Sequence, residues 1–287
     1  MRPHQATHKA RPMLWLLLAV SSLAVVATQN NIDLINPEPS AQGELMYFPS
    51  SSFTKAATFG FTNLAADGIW LQVIQYYGRH SLSDREYKYL GHMFSLLSSL
   101  APDFKTAYNF GALLLVTDGR DPGGAMSLLD KGIRQNPDDW SIPFTKGFIN
   151  YVFLTDYREA GRWFTIASRQ PDAPEMTGRF AAFALKKGGD IETSRELWSE
   201  IYSKSRNQAE REIAKKYIGK IDREIILKRL QQFADDFKQK NHRPLKDLRD
   251  LVLWGYVNQV PDDPLGGYFY WDAGSGMVLV KGSRKDN

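Results

Sequence analysis

The sequence predicts an all-α fold that is built from repeated helix pairs and ends in a small β-hairpin. Apolar residues recur every three or four positions through most of the chain, which is typical of amphipathic helices. Small and large residues also recur every 34 or 35 positions, which indicates a repeat architecture. Near the C-terminus, two short runs rich in aromatic and β-branched residues flank a glycine-containing turn, which predicts the hairpin.

The composition excludes several kinds of chemistry. The 287-residue chain is 43% hydrophobic and 24% charged, as is ordinary for a folded protein. It has no cysteine, so disulfides, thiolate nucleophiles and cysteine-ligated metals are excluded. The stretch from Lys204 to Arg249 carries 14 Lys/Arg against 7 Asp/Glu. Such a stretch can face anionic lipid or nucleic acid, but it is more typical of the solvated side of ordinary helices. We therefore expect no nucleic-acid partner.

Residues 1–27 are predicted to be a signal peptide or an N-terminal membrane anchor. Arg2, Lys9 and Arg11 precede an apolar run at 13–27 that ends in small residues. As a helix this run rises about 22 Å, short of the ~30 Å hydrocarbon core, which favours cleavage over anchoring. The basic residues before the run predict export of the rest of the chain. We therefore expect the protein in the cell envelope, on the periplasmic side of the cytoplasmic membrane, whether anchored or released.

Residues 28–60 contain several prolines, glycines and serines without a sustained period, and we predict an extended linker there. Helices are expected from residue 61, where Ile69 and Val73 belong to a wide apolar face. A second helix is predicted to open at Asp84, with Ser83 as its N-cap.

The repeat period is visible in four sets of equivalent positions, each spaced by 34 or 35 residues. Small residues dominate three of these sets and large apolar residues the fourth, as expected where helices of neighbouring repeats pack closely. The sets are Ala112, Gly147 and Ala182; Ala125, Ala160 and Ser194; Leu129, Phe164 and Trp198; and Gly132, Ala167 and Ile201. Prolines 102, 137 and 171 follow the same spacing.

This pattern of small, aromatic and small residues followed by proline resembles the tetratricopeptide repeat family, whose unit is 34 residues. The resemblance implies a helical solenoid over residues 61–206, with a degenerate repeat at 61–102 and repeats at 103–137, 138–172 and 173–206. Gly178 departs from the family pattern, because a large residue is usual there. Residues 207–242 are predicted to be capping helices.

Residues 243–287 are predicted to hold a short helix and the hairpin, with strands at 268–271 and 277–281. The segment Asp263-Pro-Leu-Gly-Gly-Tyr268 locally resembles the C-terminal tail of major pseudopilins, which implies a tight turn leading into a hairpin. Some pseudopilin tails bind calcium, so Asp262, Asp263 and Asp272 are either calcium ligands or turn-forming aspartates.

No catalytic constellation is recognisable in the sequence. His80, His92 and His242 are not spaced as metal ligands, and the glycines at 119–124 lack the Lys-Ser/Thr of a phosphate-binding loop. We therefore expect no enzyme activity, cofactor or metal, and look for a binding surface.

In tetratricopeptide arrays the first helices of successive repeats line a concave groove that binds peptides. Carrying the family's groove positions across this sequence implies a stripe of apolar, aromatic, amide and cationic side chains. The stripe consists of Asn109, Leu113, Val116, Phe144, Phe148, Tyr151, Arg179, Phe183 and Lys186. Such a stripe suits a peptide with apolar anchors and either a polar backbone or a carboxylate.

Two functions are compatible with these features. The first is a non-catalytic scaffold that binds a protein or peptide partner in the groove, as part of an envelope assembly, secretion or export system. The alternative is a structural accessory subunit that docks through its basic C-terminal helices and hairpin tail. In both, the N-terminal segment contacts the membrane if it is not cleaved.

Overall fold

The computed structural model describes residues 10–35 and 51–282, and the chain divides into two compact units, Met1–Thr62 and Asn63–Asn287. The first unit contains helix α1 (Ala10–Ile35) and helix α2 (Ser51–Ala57). Both enter the region predicted as an extended linker: α1 continues past residue 27, and α2 lies just before residue 60. Residues 1–9 and 36–50, parts of the predicted signal and linker, lie outside the described residues. In the part of the chain that is described, no helix is long and apolar enough to cross a membrane.

The second unit is mostly helical and ends in a two-stranded antiparallel sheet, as the sequence predicts. Its helices are α3 (Thr62–Ser81), α4 (Leu90–Leu100), α5 (Lys105–Thr117), α6 (Pro122–Gln135), α7 (Ser141–Val152), α8 (Tyr157–Ser168), α9 (Met176–Lys187), α10 (Ile191–Lys204), α11 (Gln208–Asn241) and α12 (Arg249–Leu253). Its strands are β1 (Tyr268–Asp272) and β2 (Met277–Lys281). From α4 to α11, each helix packs against the next one along the chain.

Helices α6, α8 and α10 each begin at an aspartate that caps the helix. The side chains of Asp121, Asp156 and Asp190 accept hydrogen bonds from the backbone N–H groups three residues later. These amides have no partner within the helix, so each cap stabilises its N-terminus by about 1 kcal/mol. The three aspartates are 35 and 34 residues apart, which adds another set of equivalent positions to those found in the sequence.

The residue before each capping aspartate adopts a left-handed backbone conformation. Its φ angle is +51° at Arg120, +55° at Thr155 and +87° at Gly189. Left-handed φ is unusual for residues with a side chain and especially for a β-branched one. The same turn is therefore built three times, at the same point of each helix pair.

The small residues of the repeat pattern lie where side chains of neighbouring helices come closest. A Cβ atom added to Gly147 would lie 2.7 Å from a ring carbon of Phe164, and one added to Gly132 would lie 2.7 Å from the ring of Tyr108. Neither neighbour can give way easily, because both rings are fully buried. The other small members at Ala112, Ala125, Ala160, Ala167, Ala182 and Ser194 are also buried completely.

The first helix pair differs from the prediction at its second helix. Helix α4 begins at Leu90, and Asp84 lies in the connection before it. There the carboxylate of Asp84 accepts the amide of Glu86 and lies 2.5 Å from Nδ1 of His80. Arg85 has a φ of +57°, which is incompatible with a continuing right-handed helix. Asp84 therefore holds a turn, and the prediction of a helix start with Ser83 as N-cap is wrong.

Helix α11 is a single 34-residue helix where capping helices are predicted, and it joins two hydrophobic clusters. Its N-terminal half contributes Ala214 and Ile221 to the cluster formed with α8, α9 and α10. Its C-terminal half contributes Leu230, Ala234 and Phe237 to a cluster with α12 and the hairpin. The helix ends where His242 adopts a left-handed conformation.

The hairpin pairs Tyr268 with Lys281 and Asp272 with Met277, and its strands lie where the sequence predicts them. It is attached to α11 by Gln231, whose side-chain oxygen accepts the amide of Val278 at 2.8 Å. The inward residues Phe269 and Val278 complete the second cluster. The short helix predicted in this region is α12, which covers only Arg249–Leu253.

Candidate protein-binding surface

The nine residues of the predicted groove lie on three helices, with three residues each on α5, α7 and α9. We call this set the inner stripe: Asn109, Leu113, Val116, Phe144, Phe148, Tyr151, Arg179, Phe183 and Lys186. Side-chain contacts between neighbouring odd-numbered helices occur along the stripe. The structure therefore separates residues that hold these helices together from residues that remain open to a ligand.

On α5, Asn109 reaches the start of α7. Its side-chain nitrogen donates to Oγ of Ser141 at 2.8 Å, while its Oδ1 is buried without a hydrogen-bond partner. Asp139 accepts from the same Ser141 hydroxyl at 2.6 Å and pairs with Lys105 of α5 at 2.9 Å. Hydrogen bonds from Ser141 and Lys105 keep the pKa of Asp139 below its usual value despite burial of the carboxylate, which raises it. Leu113 and Val116 are half-buried on the same helix.

On α7, Phe144 is a packing residue and Phe148 is open. The ring of Phe144 lies 5.0 Å from that of Phe164 on α8 and 5.4 Å from that of Phe180 on α9. Phe148 is 36% exposed, and its ring packs edge-on against that of Phe153, at 6.3 Å between ring centres. Aromatic pairs at such distances contribute about 1 kcal/mol beyond burial. Phe144 therefore joins three helices and is only partly exposed.

On α9, both cations of the stripe are paired with carboxylates of α11. Nε of Arg179 lies 3.4 Å from Glu210, and Nζ of Lys186 lies 2.7 Å from Glu224. Between them, Phe183 makes edge contacts with Trp198 at 5.0 Å and Tyr217 at 4.7 Å, yet it remains 37% exposed. A ligand carboxylate would have to compete with Glu210 and Glu224 for these cations.

Sequence reasoning missed an apolar turn beside the stripe. Phe153 and Leu154, in the α7–α8 connection, are 41% and 39% exposed. Because both residues lie in a connection and not in a helix, they belong to no amphipathic face, and the periodicity of apolar residues does not reveal them. Their proximity to Phe148 extends the open apolar surface beyond the end of α7.

Two of the three aspartates considered as calcium ligands, Asp263 and Asp272, accept hydrogen bonds from other residues of the chain. The carboxylate of Asp263 accepts two hydrogen bonds from Arg223 of α11, each 2.8 Å long, and the amide of Gly267 at 2.8 Å. The guanidinium of Arg223 holds the pKa of Asp263 below its usual range. Asp272 accepts the amide and hydroxyl of Ser275 within the hairpin turn. Across residues 10–35 and 51–282, no group of three or more His, Asp or Glu side chains is placed to hold a metal ion.

A surface cavity of about 860 Å³ lies beside α4 and α6, with Lys88, His92, Lys131 and Arg134 among its lining residues. The ammonium group of Lys131 is engaged, since it donates to the carbonyl of Ser95 and to the hydroxyls of Ser98 and Ser99. Glu86, which also lines the cavity, lies 3.5 Å from Lys88. Of these cations, Lys131 is therefore held by neutral oxygens and Lys88 lies beside a carboxylate.

Comparison with protein-family models, curated proteins and solved structures found no match to this chain. Inferences about function therefore rest on the fold and on the geometry of the inner stripe.

Proposed function

We propose that this protein is a non-catalytic scaffold of tetratricopeptide-repeat type, which binds a protein or peptide segment along the inner stripe. The partner would belong to an envelope assembly, secretion or export system. The observation that carries the proposal is that Phe148 and Phe183 occupy equivalent positions on α7 and α9 and are both more than one third exposed. Exposed phenylalanines repeated at one position of a repeat are typical of a binding surface.

The solenoid arrangement is supported by the recurrence of the same local structure. Three helix pairs share the capping aspartate, the left-handed residue before it and the buried small residues. A helix pair of this kind cannot cover its own apolar face, so neighbours stack on it. Odd-numbered helices then follow one another on one side of the array, which agrees with the contacts of Asn109 with Ser141 and of Phe144 with Phe180.

The proposed ligand contacts are apolar rather than ionic. Arg179 and Lys186 already have carboxylate partners on α11, so replacing those partners with a ligand carboxylate gains little. Phe148 and Phe183 lack such commitments on their exposed sides, and burying the exposed part of a phenylalanine is favourable. We expect the partner to insert apolar side chains between these two rings.

The proposed location rests on the N-terminal segment. Its basic residues and apolar run have the composition of an export signal or membrane anchor. The scaffold would therefore act at the periplasmic face of the cytoplasmic membrane, either tethered by this segment or released after cleavage.

The alternative, a structural accessory subunit, is favoured by one observation at the C-terminal end. Leu253 and Trp254 at the end of α12 are 81% and 54% exposed, although α12 belongs to the cluster with the hairpin. An exposed leucine and tryptophan side by side suit a docking contact for another subunit.

One capture experiment separates the two functions. Tagged full-length protein would be isolated from detergent-solubilised membranes as wild type, as a Phe148→Ala/Phe183→Ala variant and as a Leu253→Ser variant. The scaffold proposal expects a specific partner to fall by about tenfold with the double alanine variant, because the apolar anchors are lost, and to persist with Leu253→Ser. The opposite pattern supports the accessory subunit. Identical partners for all three proteins would contradict both.

A further inference from the structure

The α7–α8 turn differs in chemistry from the two turns that are equivalent to it. In the two residues before the left-handed position, the other turns carry Asp118-Gly119 and Lys187-Gly188. The α7–α8 turn carries Phe153-Leu154 there, directly after Val152, which is also exposed. Since the backbone of all three turns is alike, the turn geometry does not require apolar residues. Consecutive exposed apolar residues of this kind are unfavourable in water unless a partner covers them.

These residues adjoin the open end of the inner stripe. Phe153 packs edge-on against Phe148, with ring centres 6.3 Å apart. Tyr151 lies one turn further along α7 and packs against Tyr157 of α8 at 5.2 Å. We call the surface formed by Phe148, Val152, Phe153 and Leu154 the α7 corner.

Two cations flank the α7 corner. The ammonium of Lys187 lies 4.2 Å from the ring centre of Tyr157 and 4.9 Å from that of Tyr151. The turn that follows Lys187 is in close contact with the start of α8, because a Cβ added to Gly188 would lie 2.9 Å from the backbone nitrogen of Arg158. Lys187 thus lies over Tyr151, which directly precedes Val152 of the corner, and the backbone beside it contacts that of the exposed Arg158, four residues after Leu154.

Neither cation is neutralised within the part of the chain that the structure describes. Lys187 lies over the rings of Tyr151 and Tyr157, and hydrogen bonding to Tyr157 raises its pKa, so it is charged at neutral pH. Arg158 forms no ion pair among these residues. Two carboxylates lie nearby: Asp156 caps α8 and Glu159 pairs with Arg162. Together with Arg158 and Lys187 these groups give the rim of the corner a net charge of +1.

We propose that the α7 corner binds a partner segment in which apolar side chains are flanked by acidic residues. This inference rests on the proposed scaffold function and specifies the chemistry of its partner. Phe148, Val152, Phe153 and Leu154 receive the apolar side chains, and Lys187 and Arg158 attract the flanking carboxylates. Charged groups at the rim of an apolar contact contribute mainly to specificity and association rate.

Synthetic peptides test the charge preference directly. One short fluorescent peptide carries a Leu-Phe-Leu core with glutamates on both sides, and its matched control carries lysines in place of the glutamates. Fluorescence anisotropy with the full-length protein measures both affinities. We expect the glutamate peptide to bind at least about tenfold more tightly, with a difference that shrinks as salt is added. Equal affinity for the two peptides, or no binding of either, would overturn the proposal.

Variants locate the binding site. Phe153→Ser/Leu154→Ser should weaken the glutamate peptide by about tenfold, and Arg158→Glu should reduce the preference for glutamate over lysine. Leu253→Ser, which changes an exposed apolar residue elsewhere, is the matched control and should change neither value. Unaltered binding by the Phe153→Ser/Leu154→Ser protein would show that the peptide binds somewhere else. All these residues are exposed, and the thermal unfolding of each variant reports whether it is folded.

Phe183→Ala distinguishes failure of this inference from failure of the scaffold proposal. Phe183 lies on α9 and outside the α7 corner, so its replacement should leave the affinity for the glutamate peptide unchanged. If partner capture from membranes does not depend on Phe183 while the peptide still requires Phe153 and Leu154, the scaffold proposal for the inner stripe is contradicted and binding at the α7 corner is supported. If capture depends on Phe183 and the peptide does not bind, the proposal for the α7 corner is contradicted and that for the inner stripe is supported.

Discussion

Glycine positions in the array show how single residues set the distance between helices. At Gly161 of α8, an added Cβ would lie 2.5 Å from Cγ of Leu185 and 3.0 Å from its backbone nitrogen. At Gly178 of α9, an added Cβ would lie 3.5 Å from Cδ1 of Ile201, which is an ordinary van der Waals contact. Both glycines are in helices, where glycine costs about 1 kcal/mol relative to alanine. Only at Gly161 does close packing explain that cost.

Gly178→Ala is therefore expected to stabilise the protein by about 1 kcal/mol, because it removes the helix penalty of glycine without a clash. Urea unfolding of the full-length protein measures the change. Gly161→Ala serves as the matched control and should destabilise, because the added methyl group meets both the side chain and the backbone of Leu185. Destabilisation by Gly178→Ala as well would mean that α9 and α10 lie closer together than described.

At the residue scale, part of the predicted stripe already has interaction partners within the chain. Arg179, Lys186 and Phe144 have the side chains expected of a peptide groove, and the sequence places them at the corresponding helix positions. Their partners Glu210, Glu224 and Phe180 lie 31 to 38 residues further along the chain. Local pattern cannot identify such partners, since it reports which face of a helix a residue occupies and not what lies against that face.

At the scale of elements, the hairpin is fastened to α11 through a buried ion pair. The Asp263 side chain is fully buried and that of Arg223 is 18% exposed. Gly219 of α11 allows Leu265 to approach, since an added Cβ would lie 2.7 Å from a methyl carbon of Leu265. The Asp-Pro-Leu-Gly-Gly segment therefore attaches the hairpin to α11. Its aspartate binds Arg223, and its leucine packs against Gly219. Its second glycine leaves room for the Asp263 carboxylate.

Asp263→Asn is expected to destabilise the protein at neutral pH by roughly 3 kcal/mol, because it removes the buried carboxylate that pairs with the largely buried Arg223. The pKa of Asp263 is lowered in the folded state, so its contribution is present above the unfolded pKa of about 4 and is lost as the pH falls through the folded pKa. Thermal unfolding of wild type and variant across pH 2 to 7, roughly, should show two curves that converge at the acidic end. Parallel curves would contradict a charged Asp263. Asp262→Asn is the matched control, with little change expected.

The secondary structure of this region was predictable because its signals are local. Two runs rich in aromatic and β-branched residues flank a turn that ends in Gly276, whose φ of +69° suits glycine. The observed strands match the predicted ones within one residue. The start of α4 was not predictable in this way. Ser83 and Asp84 have the residue types of a helix N-cap, and only the contact of Asp84 with His80 shows that they belong to a turn instead.

The three capping aspartates were predictable in principle, although the sequence analysis did not identify them. Asp121, Asp156 and Asp190 follow the repeat spacing and were detectable from it, but the equivalent positions recognised in the sequence are small and large apolar residues within helices. Aspartate before a helix is a common N-cap signal. Comparison of turn residues across repeats would also have exposed Phe153 and Leu154 as the exception among three equivalent turns.

At the scale of the whole second unit, α11 connects the helical array with the C-terminal cluster. Three consecutive residues near its middle pair with three different elements: Asp222 with Arg195 of α10, Arg223 with Asp263, and Glu224 with Lys186 of α9. Removal of the tail would expose the apolar half of α11, including Phe237 and Leu230. A truncation after residue 242 therefore tests folding as well as docking, and point variants are the cleaner probe of a docking contact.

The central claim concerns the whole molecule: a partner protein covers the inner stripe in the cell envelope. Site-specific photo-crosslinking in living cells tests it most directly, with a photoreactive phenylalanine analogue placed in turn at Phe148, Phe183 and Arg162. Phe148 and Phe183 lie on the stripe, while Arg162 is an exposed position of α8 outside it. We predict that positions 148 and 183 crosslink to the same partner and that position 162 does not. Absence of any crosslinked protein at 148 and 183, or the same products at all three positions, would contradict the claim.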